Sequence, residues 1–288
     1  MQTFSGRVAA ITGGASGIGF AMAKRFAAEG MKIVIGDIEA GALESAAESL
    51  RAAGAEVVAV VCDVTDQAQV DAMAQAAVDA FGGVHVFCNN AGVGGGGLSW
   101  EAPLSTWEWV LGVNLWGVIH GLRSFVPIIL QQDEGHVVNT ASVAGLTSAP
   151  YMGAYNASKH AVVGISETLY HEFTVIAAKA KVSVLCPGWV NTGIADSERN
   201  RPHHLTEAAD ASPDAVATAE LMSQMMRDMI STGMNPDEVA DQVFNAVRDE
   251  QFWIQTHAKT EDDMWTKAVN RRNDSVRNRT NPELNLLV

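Results

Sequence analysis

Short apolar runs alternate with longer amphipathic stretches over the first two thirds of the chain. The runs at 8–11, 32–36, 57–61, 84–88, 135–139 and 182–185 are mostly β-branched and lack period-two alternation. That pattern predicts strands covered on both faces, as in a parallel sheet. Between them, stretches such as 19–29, 40–53 and 67–81 repeat apolar residues at helical spacing. The repeating strand–helix order predicts an α/β protein with a doubly wound parallel sheet and right-handed crossovers. Further helices are expected at 106–122 and 155–173.

The rhythm breaks after Thr192. Residues 193–236 are polar at first, then helical and Met-rich, with Met222, Met225, Met226 and Met229 on one helical face. A helix at 236–249 and a strand at 251–256 follow, and the tail from Lys259 is polar. No linker separates a second domain. The reading is one domain over 1–288, with 193–236 inserted above the sheet's carboxyl edge and 257–288 as a C-terminal extension.

Composition narrows the function classes. The formal net charge is −14 over 288 residues. Such an acidic surface repels phosphate backbones and anionic lipid, so neither nucleic acid nor a membrane is an expected partner. Cys62, Cys88 and Cys186 lie scattered in apolar runs, without disulfide or metal spacing. The eight histidines show no ligand spacing either, and no metal is expected. The first apolar run is too short for a signal peptide. A reduced, cytoplasmic enzyme fits these features.

Chemistry enters at Thr12-Gly13-Gly14-Ala15-Ser16-Gly17-Ile18-Gly19, which follows the first strand and opens a helix. Glycines there allow a tight turn and a close backbone approach to a pyrophosphate at the helix N-terminus. The rival reading is a turn needed only for packing. Asp37 ends the second strand, where a carboxylate can accept hydrogen bonds from an adenosine ribose and repel an added phosphate. Its sequence neighbours, Gly36 and Ile38, are not basic, and Ser16 stands at a turn position where a base could have met that phosphate. Asp63 and Val64 close the third strand and either flank an adenine ring or cap a loop.

Tyr155 and Lys159 are four apart and share a helix face. A nearby ammonium favours the phenolate and makes tyrosine a usable acid/base. Ser142 lies just past the fifth strand and either orients a substrate oxygen or caps a turn. Asn114, inside a helical stretch, reads locally as a surface residue or a kink. Trp109 and Trp116 read as a core or interface stripe, and Gly94 to Gly97 as a mobile loop at a pocket mouth or a surface turn.

Taken together, these residues resemble the short-chain dehydrogenase/reductase family. The resemblance rests on 12–19, Asp63-Val64, Asn89-Asn90-Ala91-Gly92, Asn114, Ser142, Tyr155-x-x-x-Lys159 and Pro187-Gly188-Trp189-Val190-Asn191-Thr192, in order along the chain. It implies a Rossmann-type sheet and a catalytic tetrad of Asn114, Ser142, Tyr155 and Lys159. Asn114's position would hold a water linking the lysine to solvent, and Lys159 would also reach a cofactor ribose. Cofactor contacts are implied at Gly13, Ser16, Gly17, Ile18, Gly19, Asp37, Asp63, Val64, Asn90, Ala91 and Gly92. Tyr155 and Lys159 join them, with Pro187, Gly188, Val190 and Thr192 near the nicotinamide. Asn89 would stabilise the sheet, and an acid at Asp37 goes with NAD.

The expected reaction is NAD-dependent interconversion of a secondary alcohol and a ketone. The Met-rich half of 193–236 suggests a lid over a bulky apolar or aromatic substrate, formed by Leu221, Met222, Met225 and Met229. Its polar half, 197–204, has too few apolar residues to pack firmly. Family relatives are commonly dimers or tetramers, so a homo-oligomer through 106–122 and 155–173 is expected. Two rivals are an NADPH-dependent ketone or acyl-thioester reductase and a catalytically silent dinucleotide sensor.

Overall fold

The β-branched runs form one parallel sheet. The structure, a computed structural model, describes residues 1–206, 213–257 and 263–283. Its strands are β1 (Val8–Thr12), β2 (Lys32–Asp37), β3 (Val57–Val61), β4 (Val86–Asn89), β5 (Gly135–Thr140), β6 (Ala180–Cys186) and β7 (Trp253–Gln255). They lie in the order β3-β2-β1-β4-β5-β6-β7, every pair parallel. The chain starts mid-sheet, winds out to β3, then returns to β4 and winds the other way. The direction reverses between β1 and β4, which opens a crevice at their carboxyl ends.

Helices α1 (Gly17–Ala28), α2 (Ala40–Ala52) and α3 (Gln67–Phe81) occupy the expected places. The predicted helix at 106–122 is corrected to three pieces: α4 (Leu104–Leu111), a π-helical turn at Gly112–Trp116, and α5 (Gly117–Ile129). The extra residue in that turn rotates Asn114 inward, where it is fully buried. The surface reading of Asn114 fails, and the kink reading holds. Next come α6 (Gly153–Val175), α7 (Pro213–Ser231), α8 (Pro236–Asp249) and α9 (Met264–Asn278). The predicted strand at 251–256 shortens to the three residues of β7.

The fully buried strands β1, β4 and β5 explain why their sequences do not alternate. Met22, Phe26, Leu50 and Phe244 of α1, α2 and α8 cover one face, against Ile11, Ile33 and Ile35. Met73, Phe125 and Phe173 of α3, α5 and α6 cover the other. There Phe87 stacks on Phe125 with ring centroids 4.0 Å apart. Among the described residues no helix is long and apolar enough to cross a membrane.

One polar seam crosses this apolar interior. The Asn89 amide donates to the Val118 carbonyl at 2.9 Å and to Asn139 Oδ1 at 3.3 Å. Asn139 donates in turn to Ser166 Oγ at 3.0 Å. The seam joins β4, β5, α5 and α6 just below the crevice, so strand spacing there is fixed by direction-dependent bonds. Asn139→Leu is expected to lower unfolding free energy by about 1–3 kcal/mol. Urea denaturation checks this, and an unchanged midpoint would show that the seam carries no stability.

Candidate active site

The crevice floor is the glycine turn. Gly13 and Gly17 have φ of +63° and +52°, which side-chain-bearing residues rarely adopt. A Cβ on Gly13 would lie 2.9 Å from the Ala91 Cα. The turn is stitched to the loop after β4 by Thr12, whose hydroxyl accepts the N–H groups of Asn90 and Ala91 at 2.9 and 3.1 Å. Asn90 returns its amide to the Thr12 carbonyl at 3.0 Å. Gly13, Ser16, Gly17 and Ile18 line the groove on one side, and Asn90, Ala91 and Gly92 on the other. Gly19 does not line it. A Cβ there would overlap the Gly13 carbonyl oxygen, so its glycine serves close packing under the turn.

Asp37 closes the far end of the groove. Its two carboxylate oxygens accept the N–H groups of Ala15 (3.1 Å) and Glu39 (3.0 Å), which ties β2 to the glycine turn. Sequence proximity hid one neighbour. Arg199, 160 residues away, bonds the Glu39 carboxylate at 2.5 Å, and Asn200 bonds the same oxygen at 2.8 Å. These two contacts, Arg199 first, hold the Glu39 carboxyl below the usual carboxylate range. Asp63 caps its own loop, accepting from Thr65 N–H at 2.9 Å and the Thr65 hydroxyl at 2.8 Å. It lines the groove as well, with Val64, so the two readings of Asp63 are compatible.

At the other end the four tetrad candidates converge. Tyr155 and Lys159 sit on the first turns of α6. Lys159 is buried, donates to the Thr140 carbonyl at 3.0 Å, and lies 5.6 Å from the Tyr155 ring centroid. Burial pushes its ammonium down to about 8. Ser142 is the N-cap of a short 3-10 turn and accepts the Ala144 N–H at 3.1 Å. Its hydroxyl also donates to the Pro187 carbonyl at 3.4 Å. The cap and the position beside Tyr155 therefore belong to one side chain. Burial raises the Tyr155 phenol above its ordinary value, and the Ser142 side chain partly offsets that.

Asn114 clamps the loop behind the groove. It accepts the Val93 N–H at 2.8 Å and donates to the Val93 carbonyl at 3.0 Å and to Ser158 Oγ at 3.3 Å. Asn114 Oδ1 and Lys159 Nζ both lie within 4 Å of where a Gly92 Cβ would stand.

A second, mostly apolar pocket meets the groove at Tyr155. Pro187 and Thr192 line both cavities, whereas Gly188 and Val190 line only the second. Ser142, Met152, Trp189, Met226, Ile230 and Trp265 complete the walls. Sequence reasoning missed Trp265, because the polar tail around it hides one apolar anchor. The expected lid residues are also corrected. Leu221 and Met225 are 60% and 38% exposed, and the α7 side chains that reach the pocket are Met226 and Ile230. Met229 is half-buried and outside the pocket, and the Met222 side chain lies outside the described residues.

The polar strap at 193–206 does not lack anchors. Ser197 Oγ accepts the Gly94 N–H at 2.9 Å, Arg199 and Asn200 hold Glu39, and Arg201 donates to the Thr106 hydroxyl at 2.7 Å. Hydrogen bonds and an ion pair replace the apolar packing that its composition denies it. Residues 207–212, also part of the expected lid, lie outside the described residues. Gly94 and Gly95 line the second pocket, and the Gly97 N–H donates to the Tyr151 carbonyl at 2.7 Å. Trp100 is 78% exposed. His203 and His204 are exposed, and among the described residues no cluster of three potential metal ligands forms.

Residues 7–203 match the family model described as short chain dehydrogenase. The chain belongs to the short-chain dehydrogenase/reductase family. It is 36% identical over 259 residues to the "CLA biosynthesis dehydrogenase/reductase" of Lactiplantibacillus plantarum, covering 89% of this chain and 90% of that protein. It is 36% identical over 269 residues to the "1-deoxy-11-beta-hydroxypentalenate dehydrogenase" of Streptomyces avermitilis, covering 92% and 88%. Among solved structures it resembles a short-chain dehydrogenase/reductase from Burkholderia phymatum in complex with NAD. That likeness has 45% identity, a TM-score of 0.93 and 99% coverage of both chains.

Proposed function

We propose that this protein is an NAD-dependent dehydrogenase that interconverts a secondary alcohol and a ketone. The observation that carries the reading is the place of Tyr155, on the wall shared by the glycine-floored groove and the apolar pocket, with Ser142 and Lys159 beside it.

The groove suits a dinucleotide. Two glycines with positive φ keep its floor free of Cβ atoms, and an acid stands where an adenosine ribose would end. Asp37, Gly13, Gly17 and Gly92 would hold the adenosine and pyrophosphate, and Lys159 and Thr192 the nicotinamide end. When bound, the nicotinamide supplies the hydride acceptor or donor. The chain's own residues manage the proton and the geometry. Tyr155 takes the hydroxyl proton as the alcohol is oxidised and returns it in the reverse direction. Ser142 holds the substrate oxygen against Tyr155. The Lys159 ammonium stabilises the phenolate through the low-dielectric interior.

The substrate pocket supports a bulky, uncharged substrate. Among the described residues, no ionisable side chain lines it except Tyr155. A charged substrate would lose hydration there without a counter-ion. Met226 and Ile230 of α7, with the strap, form a cover that keeps water from the reacting atoms. The Burkholderia relative's NAD complex and the acid at Asp37 both support NAD. Among the described residues Arg199 favours an NADPH-dependent reductase, and Glu39 already neutralises it. A silent sensor finds no support in a site that retains all four tetrad residues.

NAD(H) is expected to bind at least tenfold more tightly than NADP(H), about 1.4 kcal/mol, and Asp37→Ala to narrow the gap. Titration of each cofactor measures this, and equal affinity or a preference for NADP(H) would contradict it. The pH dependence follows from Tyr155. Burial raises its pKa, so alcohol oxidation, which needs the phenolate, rises with pH in the alkaline range. Ketone reduction, which needs the phenol, falls over the same range. Ser142→Ala removes the hydroxyl that lowers this pKa and is expected to move the oxidation limb to higher pH. Rates followed by nicotinamide absorbance test the sign, and a limb moving to lower pH would refute the assignment.

A further inference from the structure

We propose that the C-terminal segment is part of the active site, with Trp265 as a specificity-determining wall that selects an uncharged ring-bearing substrate. This rests on the dehydrogenase reading for the position of the reacting oxygen. Asp263 Oδ1 accepts the N–H groups of Trp265 and Thr266, both at 2.9 Å, which caps α9. The cap sets Trp265 in the first turn. α9 is mostly polar, and its buried residues are Trp265 and Ala268. The side chain that docks the helix is therefore the one that faces the pocket.

The indole is held on several sides. Trp189 meets it edge-on at 6.2 Å between centroids, and the His257 ring lies 5.7 Å away. The Gly188 N–H donates to His257 Nδ1 at 3.2 Å, and the Thr256 hydroxyl is 2.6 Å from the same nitrogen. A Cβ on Gly188 would lie 2.9 Å from both the indole and His257. Glycine at 188 thus lets the C-terminal segment lie directly on the backbone beside the pocket. The indole also packs on Val143, the residue after Ser142. A ring carrying the carbinol carbon, with its oxygen at Ser142 and Tyr155, would meet this fixed aromatic face. Met226 and Ile230 of α7 line the same pocket, and methionine adapts to varied ring outlines.

The test uses α-tetralone, an uncharged bicyclic ketone, added with NAD so that no turnover occurs, and measures affinity by calorimetry. Wild type is expected to bind it. Trp265→Ala is expected to bind about tenfold more weakly, and Trp265→Phe within about threefold of wild type. NAD affinity serves as the control for folding. If Trp265→Ala does not fold, Trp265→Leu against Trp265→Phe gives the same comparison, with the aliphatic variant weak. Equal affinity in wild type and the non-aromatic variants, or no binding by wild type, would overturn the proposal. If the ranking holds but α-tetralol is oxidised with neither NAD nor NADP, the wall stands and the dehydrogenase reading fails.

Discussion

Lys159 is removed from water at the carboxyl edge of the sheet, where its ammonium donates to the Thr140 carbonyl. Burying a cation is costly unless acceptors surround it, and burial here pulls its pKa down to about 8. Much of the local architecture serves this one charge. The last residue of β5 supplies the carbonyl. Four residues earlier on α6, Tyr155 gains a positive neighbour. The π-helical turn turns Asn114 inward to clamp Val93, so the backbone at Gly92 passes close to the lysine. In the proposed reaction that ammonium is what makes a buried phenol a usable acid/base.

Two cavities of different character meet at this point. The groove is built from backbone, with glycines on its floor and an acid at its end. The second pocket is built from side chains contributed by elements far apart in sequence, including α7 and α9. The strap between them is polar yet anchored, because Ser197, Arg199, Asn200 and Arg201 each find a partner on the body. Glu39 links the strap to the region beside Asp37, so the cofactor end and the cover share an ion pair.

Most of the sheet was legible in the sequence, because strands buried on both faces leave uninterrupted β-branched runs. The glycine turn and the Tyr155–Lys159 pair were legible as local patterns, and the structure brings both to the crevice. Of the two local readings of Asn114 only the kink held: a π-turn depends on tertiary packing, which no single-residue propensity reports. Arg199 beside Glu39 was invisible for the same reason, being a contact across 160 residues. Trp265 was missed because one anchor in a polar helix gives no periodic signal. The close packing at Gly188 and Gly19, against the C-terminal indole and the Gly13 carbonyl respectively, was not legible either.

In the proposed reaction Tyr155 moves the proton while the rest of the site positions it. Replacing Tyr155 by Phe removes one hydroxyl and keeps the ring, so it tests that claim most directly. The readout is turnover of an alcohol the wild type oxidises, followed by nicotinamide absorbance, alongside NAD affinity of the same variant. The account predicts a loss of roughly 10²–10⁴-fold in turnover, with NAD affinity nearly unchanged. Wild-type turnover by a folded Tyr155→Phe protein would contradict it.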